Sequence, residues 1–383
     1  FVNKKVVVGK SAKQTRDAFS KTWPDVNSVV LDDVESLWEQ IKFEMKNKAG
    51  DTDEKQERLK PSEWLIKWLG EKGYVYSYQD KSYYRDGKKV SAKTVLAEAV
   101  DSANVYRYSR DSIVNAEGMI IEQIKNQIIG RVRNDVKFDG NPRENEWTTF
   151  LKAMIRDEKR MQLDISVLKH FIWGVKRKMN NLPVVYHTMP IVVGEQGSGK
   201  TETIKKLLAP VSDVTLMRGK LTVYSDAREH FNMIDNYVIL MDEMEKAEKA
   251  DIEAIKGSIT ADHVSYRILG MNKQVVDVNN HSAIGASNEN ISSKIKDETG
   301  ARRFWQIDTK QKMDWDVLSS IDYLGLWQSV DESGPAPILQ NLTEIQQIQN
   351  DEIRTKNSME QFVVDSLITD SEKDTKKESW TLG

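Results

Sequence analysis

The sequence predicts an α/β fold, in which helices flank a mostly parallel sheet, and three observations lead to this prediction. An apolar run at residues 190–193 is followed by a glycine-rich turn and then by apolar residues at helical spacing. Strands alternate with helices or turns over residues 186–308, which is typical of parallel sheets. A second apolar run, residues 237–241, ends in two acidic residues. Sheets of this kind bind ligands at the carboxyl ends of their strands.

Length, charge and cysteine content narrow the possible functions. The 383 residues are enough for two or three domains, and the 56 basic and 59 acidic side chains nearly cancel, so no global field favours nucleic acid. The absence of cysteine excludes disulfides, iron–sulfur clusters and cysteine-based zinc sites, and it agrees with a reducing cytoplasm. No apolar run has the length of a membrane span, so we expect no membrane partner. Because the chain begins with Phe1 rather than Met, we expect that an upstream part is missing.

The glycine-rich turn matches the P-loop pattern G-x-x-x-x-G-K-[ST] between a strand and a helix. It consists of Gly194, Glu195, Gln196, Gly197, Ser198, Gly199, Lys200 and Thr201. Its glycines let successive backbone N–H groups point at phosphate oxygens, and the helix N-terminus adds its dipole. Lys200 is then expected to neutralise the β- and γ-phosphates of ATP, and Thr201 to bind Mg²⁺. A glycine-rich turn without a ligand is the alternative, which the strand–helix context disfavours.

Two further strands end in polar residues that suit the same site. Asp242 and Glu243 follow the apolar run at residues 237–241, where Asp242 can hold Mg²⁺ and Glu243 can act as the general base for the attacking water. Asn288 ends a strand of small residues, and its amide can hydrogen-bond both the γ-phosphate and the water. Each pattern alone is weak, but together with a P-loop they predict an ATPase.

Arg302 and Arg303 stand together before an aromatic strand. Either one suits an arginine finger, a fixed cation that stabilises charge on the transferring phosphoryl group. If the finger acts on a neighbouring subunit, the site lies between subunits and the protein must assemble to hydrolyse ATP efficiently. Neighbouring side chains on an extended segment point opposite ways, so the sequence leaves open which arginine is the finger and which makes a structural ion pair.

Two alternating segments, residues 263–269 and 274–278, predict a β-hairpin with a basic tip. In a ring of subunits, Lys273 at the tip and Arg267 at the base could grip the backbone of a nucleic-acid strand. An ordinary surface hairpin is the alternative.

Two stretches outside this core also leave alternatives open. A helix, a tyrosine-rich ribbon and a second helix over residues 62–103 resemble a degenerate winged helix that contacts DNA; alternatively, the tyrosines pack the core of a small satellite domain. Residues 151–179 are locally basic, which suits either a solvated helix face or an electropositive entrance for nucleic acid around a ring.

These patterns divide the chain into five segments. We expect an N-terminal segment with a charged linker at residues 1–60, a small α+β module at 61–110, a helical collar at 111–182, an ATPase core at 183–310 and a helical tail at 311–383. Within the collar, the helical pattern breaks at residues 140–142.

The order of the motifs resembles that of superfamily 3 helicases. A P-loop, an acidic strand end, a hairpin and a strand ending in asparagine are followed by the phrase Asp297-Glu298-Thr299-Gly300-Ala301-Arg302-Arg303-Phe304-Trp305. This phrase resembles the signature of the virulence-associated protein E group of phage and pathogenicity-island replication proteins, which are often fused to a primase or primase-polymerase. The resemblance covers residues 145–310, and residues 1–110 lie outside it.

The resemblance implies an AAA+-type ATPase core in a homo-oligomeric, hexameric ring. Such a ring would use ATP and Mg²⁺ to move on single-stranded DNA, generally 3′ to 5′, in the cytoplasm of a bacterial host. The resemblance assigns nucleotide contacts to Lys200 and Thr201, Mg²⁺ and water to Asp242 and Glu243, sensing to Asn288, the finger to Arg302 or Arg303, and a DNA contact to Lys273. The hairpin tip, residues 270–273, carries one basic residue and no aromatic one, in which it departs from the family.

The first hypothesis is therefore a DNA helicase. One alternative is an AAA+ ATPase that remodels or loads a protein partner. Another is a replication initiator whose module at residues 62–103 recognises duplex DNA without processive unwinding. No pair of metal-binding carboxylates is evident in the sequence outside the ATPase core, so we expect primer synthesis to belong to an upstream primase or polymerase domain on the same polypeptide.

Overall fold

The computed structural model describes residues 59–78, 81–267, 274–290 and 302–351 of the chain. Contacts divide these residues into two units, the first formed by residues 59–73 and 96–117 and the second by the others. The hairpin tip and the end of the tail lie outside the described residues, and the domain boundaries expected from the sequence stay predictions. No helix in the described ranges is long and apolar enough to cross a lipid bilayer.

Helices and strands follow one another along the described chain. Up to residue 182 they are α1 (Pro61–Glu71), β1 (Val75–Ser77), β2 (Ser82–Arg85), β3 (Lys88–Val90), α2 (Ala92–Ala103), α3 (Arg110–Asp135), α4 (Glu144–Met154) and α5 (Met161–Met179). Beyond it they are β4 (Met189–Val193), α6 (Lys200–Leu208), β5 (Thr215–Gly219), α7 (Thr222–Ser225), α8 (Asn232–Asp235), β6 (Val238–Met241), α9 (Lys249–Thr260), β7 (His263–Arg267), β8 (Gln274–Val278), β9 (Ser282–Ser287), β10 (Phe304–Asp308), α10 (Trp315–Ser320) and α11 (Tyr323–Gln328). Residues 342–351 are helical as well. The expected break in the helical collar falls between α3 and α4.

An aromatic cluster lies in the first unit. Helix α1 begins at Pro61, a residue that suits the first helical turn, and it places Trp64 and Trp68 on one face because they are four residues apart. The ring centroid of Trp64 lies 5.8 Å from that of Tyr106 and 5.6 Å from that of Tyr108. Both tryptophans are only 6% exposed, so the rings of this unit pack on one another.

Strands β1, β2 and β3 form an antiparallel ribbon that belongs to the second unit. Asp86 and Gly87 turn the chain between β2 and β3 with φ angles of 52° and 72°, as the Asp-Gly signal predicts. Tyr83 is 2% exposed, and its ring centroid lies 6.4 Å from that of Tyr74 and 5.1 Å from that of Tyr76. These tyrosines pack on one another, and the DNA contact expected of the module at residues 62–103 stays a prediction.

The second unit is built on a five-stranded sheet with the strand order β10-β4-β9-β6-β5. Every neighbouring pair in it is parallel. Strand β4 pairs with β10 on one side and β9 on the other, and all five of its residues are buried. Strands buried on both faces need apolar residues at successive positions, which explains the continuous apolar runs of the sequence. The predicted α/β fold with a parallel sheet is confirmed.

Alternate residues of each strand serve two cores, one on each face of the sheet. On one face, Val192 and Trp305 belong to a cluster with residues of α4, α5 and α6. On the other face, Ile191 and Phe304 belong to a cluster with residues of α7, α8 and α9. Because the strands are parallel, their carboxyl ends share one edge of the sheet, and the loops that follow them meet there.

The basic stretch at residues 151–179 contains both buried and exposed side chains. Lys176 is 0% exposed, and its ammonium group donates to the main-chain carbonyl of Trp327 at 3.2 Å and lies 2.7 Å from the carboxylate of Glu332. Lys178 donates to another main-chain carbonyl. Lys176 is therefore a buried cation of the fold, whereas Lys152, Arg156 and Lys159 are exposed, so both interpretations of the stretch stay predictions.

Strands β7 and β8 form a separate antiparallel hairpin, as predicted. Arg267 pairs with Gln274 next to the turn, so Arg267 lies at the turn end of the hairpin and not at its base as expected. The turn, residues 268–273, and the side chain of Arg267 lie outside what the structure describes. The DNA contacts expected of Arg267 and Lys273 therefore stay predictions.

Candidate nucleotide-binding site

The P-loop starts directly after β4, at the edge where the strands end. Gly197 and Gly199 have φ angles of 81° and 96°, in the left-handed region that favours glycine. The Ser198 N–H donates to the carbonyl of Glu195 at 3.2 Å and closes the turn, and the Thr203 N–H donates to the carbonyl of Gly199 at 2.9 Å and starts α6. The glycines of the motif are thus required by the backbone of the loop itself.

Lys200 lies inside this loop. Its ammonium group donates to the carbonyl of Glu195 at 2.8 Å and to the side-chain oxygen of Asn288 at 3.0 Å. The side chain is 6% exposed, and burial lowers its pKa, although Glu245 and Asp242 act in the opposite direction. A cation in this setting has neutral oxygens as its hydrogen-bond partners, so an anionic oxygen would be a stronger partner.

Thr201 and Asp242 come together at the start of α6 and the end of β6. The Thr201 hydroxyl donates to a carboxylate oxygen of Asp242 at 3.1 Å. A hydroxyl and a carboxylate are the hard oxygen ligands that Mg²⁺ prefers. In the described ranges, no group of three or more His, Cys, Asp or Glu residues is placed to hold a metal.

Glu243 directs its carboxylate to the surface. It has a φ of 57°, its side chain is 59% exposed, and it lies 2.7 Å from the ammonium group of Lys246. Exposed ion pairs of this kind contribute little to stability, because water screens the two charges. The pair can therefore open at little cost, and it leaves the carboxylate free to turn towards the loop.

Glu245 is a member of the site that the sequence reasoning missed. Its two carboxylate oxygens accept the backbone N–H of Asn288 at 3.0 Å and the side-chain NH₂ at 2.6 Å. Partial burial raises the pKa of Glu245, but the hydrogen bonds from Asn288 outweigh it and lower the pKa overall. The backbone N–H and the side-chain NH₂ of Asn288 thus face Glu245, while the side-chain oxygen of Asn288 accepts from Lys200. The signal in the sequence was a third acid close behind the acidic strand end.

The segment after β10 contacts the loop with every second residue, and the sequence reasoning missed this too. A β-carbon added to Gly194 would collide with the hydroxyl of Thr309. The two segments therefore approach each other as closely as only a glycine allows. The side-chain amide of Gln311 donates to the carboxylate of Glu195 at 2.8 Å. An alternating extended segment after the last strand was the only signal available for it.

The next two alternate residues reach the helix end of the loop. The hydroxyl of Thr203 donates to the sulfur of Met313 at 3.1 Å. The indole ring of Trp315 covers Gly199, since a β-carbon there would collide with one ring carbon and lie 3.0 Å from the next. The segment 309–315 thus forms one wall of the P-loop.

A buried hydroxyl without a partner lies in the loop. Ser198 is 5% exposed, and its oxygen has no hydrogen-bond partner within the described part of the chain. Leaving a buried hydroxyl unpaired costs about 1–3 kcal/mol. The loop therefore holds a polar group that gains energy from a ligand with acceptor oxygens.

Arg302 and Arg303 lie just before β10, at the amino ends of the parallel strands, whereas the P-loop lies at their carboxyl ends. The carbonyl of Arg303 accepts the N–H of Met189, the first residue of β4, at 2.7 Å. Strand β10 separates this edge from the P-loop edge by about 17 Å, at 3.3 Å per residue. Arg302 is exposed, Arg303 is half-buried, and both line a cavity of about 260 Å³. Neither arginine joins the P-loop of its own chain.

The family model of the virulence-associated protein E-like (VapE-like) domain matches residues 134–333, which is more than half of the chain. The chain belongs to this family. The match confirms the family that the order of the motifs indicates.

Several solved structures share a weak likeness with this VapE-like chain. Two apo structures of the NrS-1 C-terminal region have 13% and 12% identity and TM-scores of 0.42 and 0.44, and they cover 75% and 78% of this chain and 74% and 75% of their own. A structure of JCV helicase with a bound acetamide compound has 10% identity and a TM-score of 0.34, and covers 69% of this chain and 78% of its own. No curated protein matches the chain.

In this VapE-like protein the structure brings together one group of the residues singled out in the sequence and separates another. The P-loop, Asp242 and Asn288 meet through Lys200 and Thr201. Glu243 lies beside them but faces the surface. The arginines lie at the far edge of the sheet, and Lys273 lies outside the described residues. The catalytic and binding roles of these residues stay predictions.

Proposed function

We propose that this VapE-like protein is an ATP-dependent DNA helicase or translocase of a phage-like replication module. It hydrolyses ATP at the interfaces of a homo-oligomeric ring, a hexamer in our proposal, and moves on single-stranded DNA. The observation that supports this proposal best is the meeting of Lys200, Thr201, Asp242 and Asn288 at a P-loop in a chain of this family.

The P-loop binds the triphosphate. Lys200 exchanges its two neutral oxygen partners for anionic phosphate oxygens, which form stronger hydrogen bonds. The unpaired hydroxyl of Ser198 and the glycine backbone fit a ligand rich in acceptor oxygens. Thr201 and Asp242 would hold Mg²⁺, which supplies neutralisation of the phosphate charge.

Glu243 and Asn288 act on the attacking water. Glu243 leaves its exposed pair with Lys246 and accepts the proton from the water at a carboxylate oxygen. Asn288 orients the water with its side-chain oxygen, which becomes available when Lys200 turns to the phosphates. Glu245 keeps the amide in that orientation.

The cation that stabilises the transferring phosphoryl group comes from the neighbouring subunit. Arg302 is the residue we propose, because it is exposed while Arg303 is half-buried. Both lie at the sheet edge away from the P-loop of their own chain, which suits a contact with the loop of the next copy.

ATP hydrolysis with and without single-stranded DNA tests the proposal. Purified protein should hydrolyse ATP in the presence of Mg²⁺, and single-stranded DNA should raise the rate. Lys200→Ala should lower the rate about a hundredfold or more, because the cation that binds the phosphates is lost. Steady-state phosphate release measures both effects.

Lys205→Ala is a matched control, since Lys205 lies on the same helix and its ammonium group is 3.8 Å from the exposed Glu202. This variant should keep the wild-type rate. An ATPase whose rate is the same with and without DNA would argue for the alternative, an AAA+ initiator or remodelling ATPase. A chain that hydrolyses no ATP under any of these conditions contradicts both.

A further inference from the structure

Trp315 differs from the other tryptophans of the described chain. Of the seven tryptophans in the described ranges, six are at most 6% exposed, whereas Trp315 is 37% exposed. A large aromatic side chain gains energy from burial, so a fold that keeps one partly in solvent forgoes part of that gain. Because Trp315 lies beside the P-loop, its accessible ring atoms could contact a ligand bound in the loop.

The ring is held in place from two sides. One edge of the indole lies against Gly199 and fills the space that a β-carbon would need. Gly199 also has a left-handed backbone, which favours glycine. On the other side, Trp315 is the first residue of α10, which is capped by the carboxylate of Asp314 accepting the N–H of Val317 at 3.2 Å. The accessible part of the Trp315 side chain thus lies beside the P-loop, at the capped start of a helix.

A triphosphate bound in the loop must leave its nucleoside outside, since the loop encloses only the phosphates. Segment 309–315 forms one wall of the loop, and Trp315 is the aromatic residue of that wall that remains accessible. Nucleic-acid bases stack on accessible aromatic faces, and a purine matches the two fused rings of an indole best.

We propose that Trp315 is the stacking surface for the base of a purine nucleoside triphosphate. This inference rests on the proposed function, because it needs a triphosphate in the P-loop. It adds a base-binding subsite to a phosphate site, and it predicts a preference for purine over pyrimidine nucleotides.

Binding of two Mg²⁺-loaded probes to the full chain tests the inference by calorimetry. The first is the non-hydrolysable β,γ-imido analogue of ATP, and the second is inorganic tripolyphosphate, which has no base. Trp315→Ala should lower the affinity for the nucleotide analogue by at least about fivefold, as expected for a lost stacking contact. It should leave the affinity for tripolyphosphate unchanged. Trp315→Phe, which keeps an aromatic face, should recover most of the loss.

Leu339→Ala serves as the matched control, because Leu339 is an apolar residue that is 43% exposed and lies outside the wall segment. It should change neither affinity. If Trp315→Ala lowered the affinity for both probes equally, the indole would only support the loop. If it left both affinities unchanged, the base would bind elsewhere. Either result overturns the stacking inference and leaves the proposed function standing. A wild-type chain that binds neither probe overturns both.

Discussion

Asp164 is a buried carboxylate that the nucleotide site does not use. It lies in the first turn of α5, is 4% exposed, and accepts the indole N–H of Trp305 at 2.7 Å. Burial raises its pKa from 3.8 to about 7, although the hydrogen bond from Trp305 and the charge of Arg160 lower it. The folded chain therefore binds this proton more tightly than the unfolded chain does.

The raised pKa predicts that stability falls as the pH rises. The contribution of Asp164 is fully present below pH 4 and is lost as the pH rises through about 7. Asp164→Asn, which keeps an oxygen for the indole N–H, should raise the free energy of unfolding at pH 8 by about 2–4 kcal/mol. The difference should be smaller at pH 5 and should approach zero only below pH 4. Urea unfolding at the two pH values measures it.

Asp226→Asn is a control with the opposite sign. Hydrogen bonds from Arg228 lower the pKa of Asp226 to about 2, so this carboxylate stabilises the folded chain at neutral pH and stops doing so in acid. Its replacement should not stabilise the chain at pH 8. If Asp164→Asn were less stable than the wild type at pH 8, the account of a costly buried charge would be wrong.

At the scale of elements, the hairpin of β7 and β8 offers a test that distinguishes the proposed helicase function from the alternative ATPase functions. If its tip holds a DNA backbone, Lys273→Ala should move the ratio of ATPase rates with and without single-stranded DNA towards one, because a phosphate contact is lost. The effect should grow as the salt concentration falls, since contacts to phosphate depend on counterion release. Phosphate release over a salt series measures it.

Lys67→Ala provides the comparison for this variant. Lys67 is an exposed lysine of α1 and lies 3.9 Å from Glu71. Its replacement should leave the DNA-dependent ratio at the wild-type value. If Lys273→Ala also left it there, the hairpin would have no part in DNA binding and a protein partner would become the better hypothesis.

Elements with a strong local pattern were predictable from the sequence, and those formed by long-range contacts were not. The P-loop, the apolar strands and the Asp86-Gly87 turn follow from local backbone requirements. The alternation of residues in the wall segment 309–315 does not reveal its partner, and only the structure shows its contacts with the loop. Lys176 was expected at the surface because the residues next to it in the sequence do not indicate its partner Glu332, which lies more than 150 residues away.

The same distinction applies to the site. Asp242 and Asn288 could be placed because parallel strands bring their carboxyl ends to one edge. Glu245 could not, because its role depends on which way the amide of Asn288 is turned, and no spacing rule encodes that orientation.

At the scale of the whole molecule, the distance between the two edges of the sheet predicts that mixed assemblies recover activity. Lys200→Ala and Arg302→Ala should each be nearly inactive alone. When they are mixed in equal amounts, about a quarter of the interfaces pair an intact P-loop with an intact arginine, so about a quarter of the wild-type rate should return. Phosphate release after subunit exchange measures the recovery.

A mixture of Lys200→Ala with Asp242→Ala is the control, because both residues belong to the P-loop half of one chain. It should stay inactive. Arg303→Ala, tested in the same way, shows which arginine acts. If mixed assemblies form but neither arginine variant recovers activity with Lys200→Ala, the finger does not come from a neighbouring subunit.

The placement of the P-loop and the arginines at opposite edges of one sheet has a consequence for assembly geometry. If the arginine acts on a neighbouring subunit, as proposed, a site is complete only where the P-loop of one copy meets the arginines of the next. A ring repeats this contact head to tail from one copy to the next. A closed ring has as many complete sites as copies, whereas an open spiral of the same copies has one fewer. The directionality of the assembly is thus already present in a single chain.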